Sequence, residues 1–221
     1  MSSMNIDRRR PHHTTSKKAT NLKHILFLLV CIMLSGFSIA QKKFNDSIAQ
    51  SRNQTTRTAM ITLGTWALAN IASGFIIAGN TQGEARYAWR MNGYWNFINL
   101  GLAGMGYLNA IKAASRIYSF ADNYEAQHAM EKIYVLNFGL DFAYIAGGLY
   151  LRERGNSASS IKSAGEYRGY GASIIIQGGF LLLMDGLMIR LHQKNTTRMN
   201  KKLRQFDLDA GPGGLGISYR F

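Results

Sequence analysis

Four stretches of this chain, residues 59–79, 93–113, 133–151 and 170–191, are apolar and almost free of charge. Each runs for about the 20 residues that a bilayer-spanning helix needs. Residues 59–79, 93–111 and 169–189 contain no Lys or Arg. A soluble helix carries a charged outer face, and these stretches lack one, so lipid is the solvent they fit. The only two prolines, Pro11 and Pro212, lie outside all four, which leaves each free to be unbroken helix. The expected fold is all-α: an integral membrane four-helix bundle, built as two helical hairpins. A periplasmic helical bundle is the competing reading, because mean hydropathy over the whole chain is only −0.10.

Two of the stretches contain an aspartate. Asp141 lies in the third and Asp185 in the fourth. A carboxylate in hydrocarbon costs several kcal/mol unless it is protonated, paired or turned to a polar interior. The two aspartates are therefore the strongest pointers to a site. Residues three and four apart share a helix face. Asn92, Asn96, Asn99, Ala103, Gly106 and Ala110 make one polar-to-small stripe, and Ala67, Asn70, Gly74 and Ala78 make another. Asn137, Asp141, Tyr144 and Gly148 line up in the third stretch; Gly178, Asp185 and His192 line up in the fourth, with Gln177 at the edge. Two readings of these stripes stand. They are packing seams, where small residues permit close approach and amides bond across, or they converge on a polar pocket. The candidate intramembrane site is Asp141, Asp185, Asn137, Gln177, Asn70, Asn96 and Asn99.

The N-terminus has the layout of a secretory signal peptide. A polar, basic region with Arg8, Arg9, Arg10, Lys17, Lys18 and Lys23 precedes an apolar run over 25–37, too short for a span. Ser38-Ile39-Ala40 then offers small residues for cleavage before Gln41. An uncleaved anchor is the alternative. The organisation expected is a signal peptide over 1–40, a polar stretch over 41–57, a transmembrane domain over 58–192 and a basic tail over 193–221. Two hairpins and a cleaved signal put both ends of the helical unit in the periplasm. The positive-inside rule opposes this, because Arg190, Lys194, Arg198, Lys201, Lys202 and Arg204 follow the fourth stretch.

Local signals set the expected helix ends. Thr81 with Glu84, and Asp122 with Glu125, have the spacing of capping boxes. Gly79 and Gly155 suit left-handed stops. A third helix over 123–152 would be about 45 Å long, longer than the roughly 30 Å apolar slab, so its first turns should stand in the interface. Trp89, Tyr94 and Trp95 fit an aromatic belt. The two hairpins also look alike, since Ala69-Asn-Ile-Ala-Ser-Gly74 parallels Ala143-Tyr-Ile-Ala-Gly-Gly148. At a displacement of 76 residues, Gly93-Tyr94 meets Gly169-Tyr170. Duplication and chance both explain this. In the tail, Gly211-Pro-Gly-Gly214 breaks any helix. Leu215, Ile217, Tyr219 and Phe221 then alternate with Gly216, Ser218 and Arg220. One such strand makes no barrel, and an extended tail is expected.

The formal charge of +14 admits nucleic acid, but the cations cluster beside apolar stretches, where anionic headgroups are the simpler counterpart. No nucleic-acid partner is expected. The single cysteine, Cys31, excludes a disulfide framework and a cysteine-ligated metal. No nucleophile elbow, zincin or phosphate-loop spacing occurs. His192 is expected at the membrane surface beside Arg190 and Lys194. No cofactor or metal site is expected, and the chain does not read as an enzyme.

Four segments carry a resemblance: Leu63-Gly-Thr-Trp-Ala-Leu-Ala-Asn70, Met91-Asn-Gly-Tyr-Trp-Asn-Phe-Ile-Asn99, Leu140-Asp141 with Tyr144-Ile145, and Ile176-Gln-Gly-Gly-Phe-Leu-Leu-Leu-Met-Asp185. On these the chain resembles an uncharacterised family of small four-helix membrane proteins of Bacteroidetes, over roughly residues 55–192. The resemblance implies the membrane class and no activity. The function expected first is a structural or partner-binding subunit of the inner membrane, whose partners are the lipid bilayer and a membrane protein or a second copy of itself. The alternative is a small-solute or ion/proton-coupled carrier using Asp141 and Asp185. A water-lined cavity that reaches both aspartates would favour the carrier; a dry seam with paired carboxylates would favour the subunit.

Overall fold

The computed structural model describes residues 15–211 and 214–219. The basic run at Arg8–Arg10 and the Pro212-Gly213 break lie outside the described residues. Helices α1 (Thr15–Gly79), α2 (Gly83–Ala114), α3 (Phe120–Asn156) and α4 (Ile161–Leu203) precede strands β1 (Phe206–Gly211) and β2 (Gly214–Tyr219). The chain divides into two units, Met1–Phe44 and Asn45–Phe221, with the boundary inside α1. In the first unit Leu26, Phe27, Leu28, Leu29 and Ile32 are exposed. The second unit holds the remainder of α1 and every other element.

Among the described residues, three helical stretches, Ser38–Gly79, Phe120–Asn156 and Ile161–Leu203, are long and apolar enough to cross a membrane. Four had been expected. α2 is the exception, because Asn92, Asn96, Asn99 and Asn109 sit among its apolar residues. Three of these asparagines turn inward, and α2 still exposes Phe97, Met105, Leu108 and Ile111, which do not line the cavity described below.

Polarity in the second unit is inverted relative to a water-soluble domain. Of its largest fully buried side chains, His192, Gln127, Gln177, Asn96, Asn123, Asp141 and Ser173 are polar, and only Ile48 and Met199 are apolar. Many Leu, Ile and Phe side chains of the same helices are exposed. Soluble proteins sort these residues the other way.

Glycine sets the helix crossings. A Cβ on Gly74 of α1 would lie 2.7 Å from the Trp89 carbonyl oxygen and 2.8 Å from the Gly93 nitrogen of α2. A Cβ on Gly148 of α3 would lie 2.8 Å from the Gly171 carbonyl oxygen of α4. Each hairpin therefore closes backbone against backbone. The expected match of Gly93 with Gly169 fails here: Gly169 packs across to Glu84, Tyr87 and Ala88 of α2, and Gly171 is the residue that closes the second hairpin. α2 and α3 each pack along α4 and have little direct contact with one another.

Several expected ends move. α2 begins after Gln82, with no side-chain cap; Thr81 instead donates its hydroxyl to the Ile77 carbonyl. α3 begins earlier than expected, on a capping box formed by Ser119 and Asp122. Ser has the short hydroxyl that reaches the third backbone N–H, and Asp122 returns the bond. Neither Gly79 nor Gly155 is left-handed: both are helical, and Gly83 is the positive-φ glycine, at 57°. α4 runs well past residue 192, so much of the expected tail is helix. The last residues pair as an antiparallel hairpin, with Leu208 opposite Ile217. The alternation at 215–219 thus becomes one of two strands, not an extended tail.

Candidate functional site

The expected site residues fall into two groups. The first is a hydrogen-bonded seam joining α1, α2 and α4. Trp66 Nε1 donates to Gln177 Oε1 at 2.8 Å. Gln177 Nε2 donates to Asn70 Oδ1 at 3.2 Å and Asn92 Oδ1 at 3.1 Å. Both amide hydrogens and the oxygen of Gln177 are thereby used. Asn96 donates to the Asn92 carbonyl at 2.8 Å, and Asn99 donates to Asn96 Oδ1 at 3.1 Å. Phe180 stacks on Trp66 at 4.0 Å between centroids and closes the seam on one side.

The second group centres on the aspartates. α3 and α4 cross closely at Gly178, where a Cβ would meet the Asp141 carbonyl oxygen at 3.3 Å. That crossing sets Asp141 and Asp185 on packed helices, and both line one cavity. Asp141 is 2% exposed and Asp185 3%. Asp141 Oδ2 is buried without a hydrogen-bond partner. Among the described residues neither carboxyl forms an ion pair.

A cavity of about 640 Å³ opens beside this pair, between α2 and α3. Asp141, Asp185, Asn137, Asn99, Trp95 and Tyr144 line one end of it. Trp95 and Tyr144 meet edge-on at 5.0 Å and bridge α2 to α3 there. Trp95 is therefore an inward residue and not part of an outer aromatic belt. Met60, Leu63, Met130 and Met184 form the apolar middle. Arg52, Lys112, Arg116 and Tyr118 line the far end. The lining from Ala126 to Tyr144 on α3 corresponds to about 27 Å of helix. Ligand pockets fall at roughly 300–1,000 Å³, and this volume is inside that range.

Asn99, Asn137, Asp141 and Asp185 thus face the cavity, whereas Asn70, Asn96 and Gln177 do not line it. A second buried polar cluster, at the far end, was not expected. Arg52 Nη1 donates to Asn123 Oδ1 at 2.9 Å, and Asn123 donates to the Asn45 carbonyl at 3.0 Å. Gln127 donates to the His192 carbonyl at 2.8 Å. His192 is completely buried and stacked against Tyr134. The signal was present in the sequence. Carried backward at helical spacing, the Ala67–Ala78 stripe passes through Leu63, Ala59, Thr56, Arg52, Ala49 and Asn45, and every one of these is buried.

A family of unknown function, DUF6992, matches residues 62–186, more than half of the chain. The chain belongs to this family. No curated protein and no solved structure matches it. All seven expected site residues fall inside the DUF6992 segment, whereas Arg52 and His192 fall outside it.

Proposed function

We propose that the chain is a multi-pass inner-membrane protein that binds a small solute in the cleft between α2 and α3. In this reading α2, α3, α4 and the later part of α1 form a four-helix bundle of two hairpins, behind a signal peptide cleaved after Ala40. The inverted polarity supports the membrane placement, because an outer surface of Leu, Ile and Phe is stable in lipid and costly in water. By the same reading the family is one of small membrane proteins, the Bacteroidetes group that the sequence resembles.

The observation that carries the solute reading is the cavity reaching Asp141 and Asp185. Both aspartates line that cavity, although each is almost fully buried. The seam around Gln177 fits a structural role, and the pair fits a binding role. Two carboxyl groups lining one cleft in an otherwise apolar span are the kind of groups an ion- or proton-coupled carrier uses. No nucleophile–base pair faces the cleft, so we do not assign an enzyme activity.

Native mass spectrometry of the detergent-released protein tests this. Wild type should retain a small molecule that Asp141→Asn and Asp185→Asn each lose, with melting temperature kept. A wild type that is always empty, or variants that hold the molecule equally well, would contradict the reading. The same spectra give the mature N-terminus, expected at Gln41; retention of residues 1–40 would contradict cleavage.

A further inference from the structure

Arg52 is a buried cation that forms no ion pair among the described residues. It is 3% exposed. Its Nη1 is held by Asn123 and its guanidinium lies over the Tyr118 ring at 4.7 Å, but Nη2 is buried with no hydrogen-bond partner. The neighbouring acids are engaged elsewhere. Glu131 accepts from Thr196 and pairs with His128, and Asp122 caps α3 through Ser119. A charge removed from water costs several kcal/mol unless it is paired. Asn123 and Tyr118 position the guanidinium and do not neutralise it. Arg52 also lines the cleft, together with Lys112 and Arg116.

The cleft beyond it is apolar and opens sideways. Ile98, Leu102, Ile133 and Leu140 line the cavity and are also exposed on the outer surface of α2 and α3. Arg52 precedes Ile61, a large exposed apolar residue on the same helix, by about 13 Å of helix. In the membrane reading proposed above, this puts the guanidinium toward one end of the apolar surface, on the side of the headgroups.

We propose that the Arg52 end of the cleft binds an amphiphile with an anionic head, a carboxylate or a phosphate, and an alkyl tail. The head accepts from the free Nη2 of Arg52, a charge-assisted hydrogen bond of the stronger kind. Lys112 and Arg116 add positive potential at the mouth. The tail lies over Met60 and Met130 and leaves between Leu102 and Ile133 into the surrounding lipid. This site shares the cleft with the carboxyl pair but stands on different residues, so either can fail alone.

The full chain in phosphatidylcholine nanodiscs provides the test, with binding read by native mass spectrometry. The probes are oleate, phosphatidic acid, oleyl alcohol and inorganic phosphate. Oleate or phosphatidic acid should bind at least tenfold more tightly than oleyl alcohol, and inorganic phosphate should compete weakly. Whichever of the two anions binds more tightly names the source of the head. Arg52→Gln should weaken that anion at least tenfold and leave oleyl alcohol unchanged, and Arg52→Lys should restore part of the loss. If Arg52→Gln does not fold, the wild-type preference for anion over alcohol and its loss in Lys112→Gln/Arg116→Gln decide the matter. Equal binding of the anions and the alcohol would overturn the anion site and leave the cleft a binding site. Binding of none of the probes would overturn the proposal without touching the solute reading at Asp141 and Asp185.

Discussion

At the scale of single residues, the interior works by saturating amides. Gln177 spends all three hydrogen-bonding positions on Trp66, Asn70 and Asn92. Asn99 is the outermost member of the chain of bonds and also faces the cleft. Asn99→Leu should therefore remove the bond to Asn96, one turn back on α2, without creating a void. The expected loss is about 1 kcal/mol of stability in detergent, the net scale of a protein hydrogen bond, read as a lower midpoint in thermal unfolding. A neutral or stabilising result would mean that the Asn96–Asn99 bond contributes nothing. The polar residues of 67–185 were legible from the sequence because amides at helical spacing in an apolar stretch need an inward face. Their division into seam and cleft was not. Asn96 and Asn99 lie on one stripe, and only the divergence of α2 from α3 decides that the cavity reaches Asn99.

At the scale of elements, glycine determines how near the helices come. Gly148 and Gly171 let α3 and α4 meet backbone to backbone, and that contact sets the level at which Asp141 reaches Asp185. A Cβ on Gly148 would already be 2.7 Å from Ile175 Cγ1. Gly148→Val should force the helices apart, at a cost of about 2 kcal/mol by the usual penalty of overpacking. Gly147→Val on the next position, where a Cβ meets nothing, is the control and should be tolerated. Equal melting temperatures for the two variants would show that the α3–α4 contact does not depend on Gly148. Helix existence was readable from apolar length, but helix ends were not. Ser119 competes with Asp122 for the cap of α3, and both signals lie within one turn. α1 begins well before the apolar stretch at 59, and Asn45, Arg52 and Thr56, in what reads as a polar stretch over 41–57, are buried on the same stripe.

At the scale of the whole molecule, the chain is turned inside out. Apolar side chains on α2 and α3 face outward, polar ones face inward, and the cleft reaches from Arg52 to the carboxyl pair. Overall class followed from composition and hydropathy, since uncharged stretches of that length have few other stable uses. The cleft could not be read the same way, because it arises from two helices that share α4 and avoid each other. The most direct measurement is thiol labelling in the intact membrane, in a Cys31→Ser background, with a water-soluble methanethiosulfonate. Asn137→Cys lines the cleft and should be modified. Leu136→Cys, one residue away and 65% exposed on the outer surface, should be shielded by lipid, and Asn96→Cys should be shielded by the seam. Labelling of Leu136→Cys as fast as Asn137→Cys would contradict the membrane placement, and protection of Asn137→Cys would contradict the open cleft.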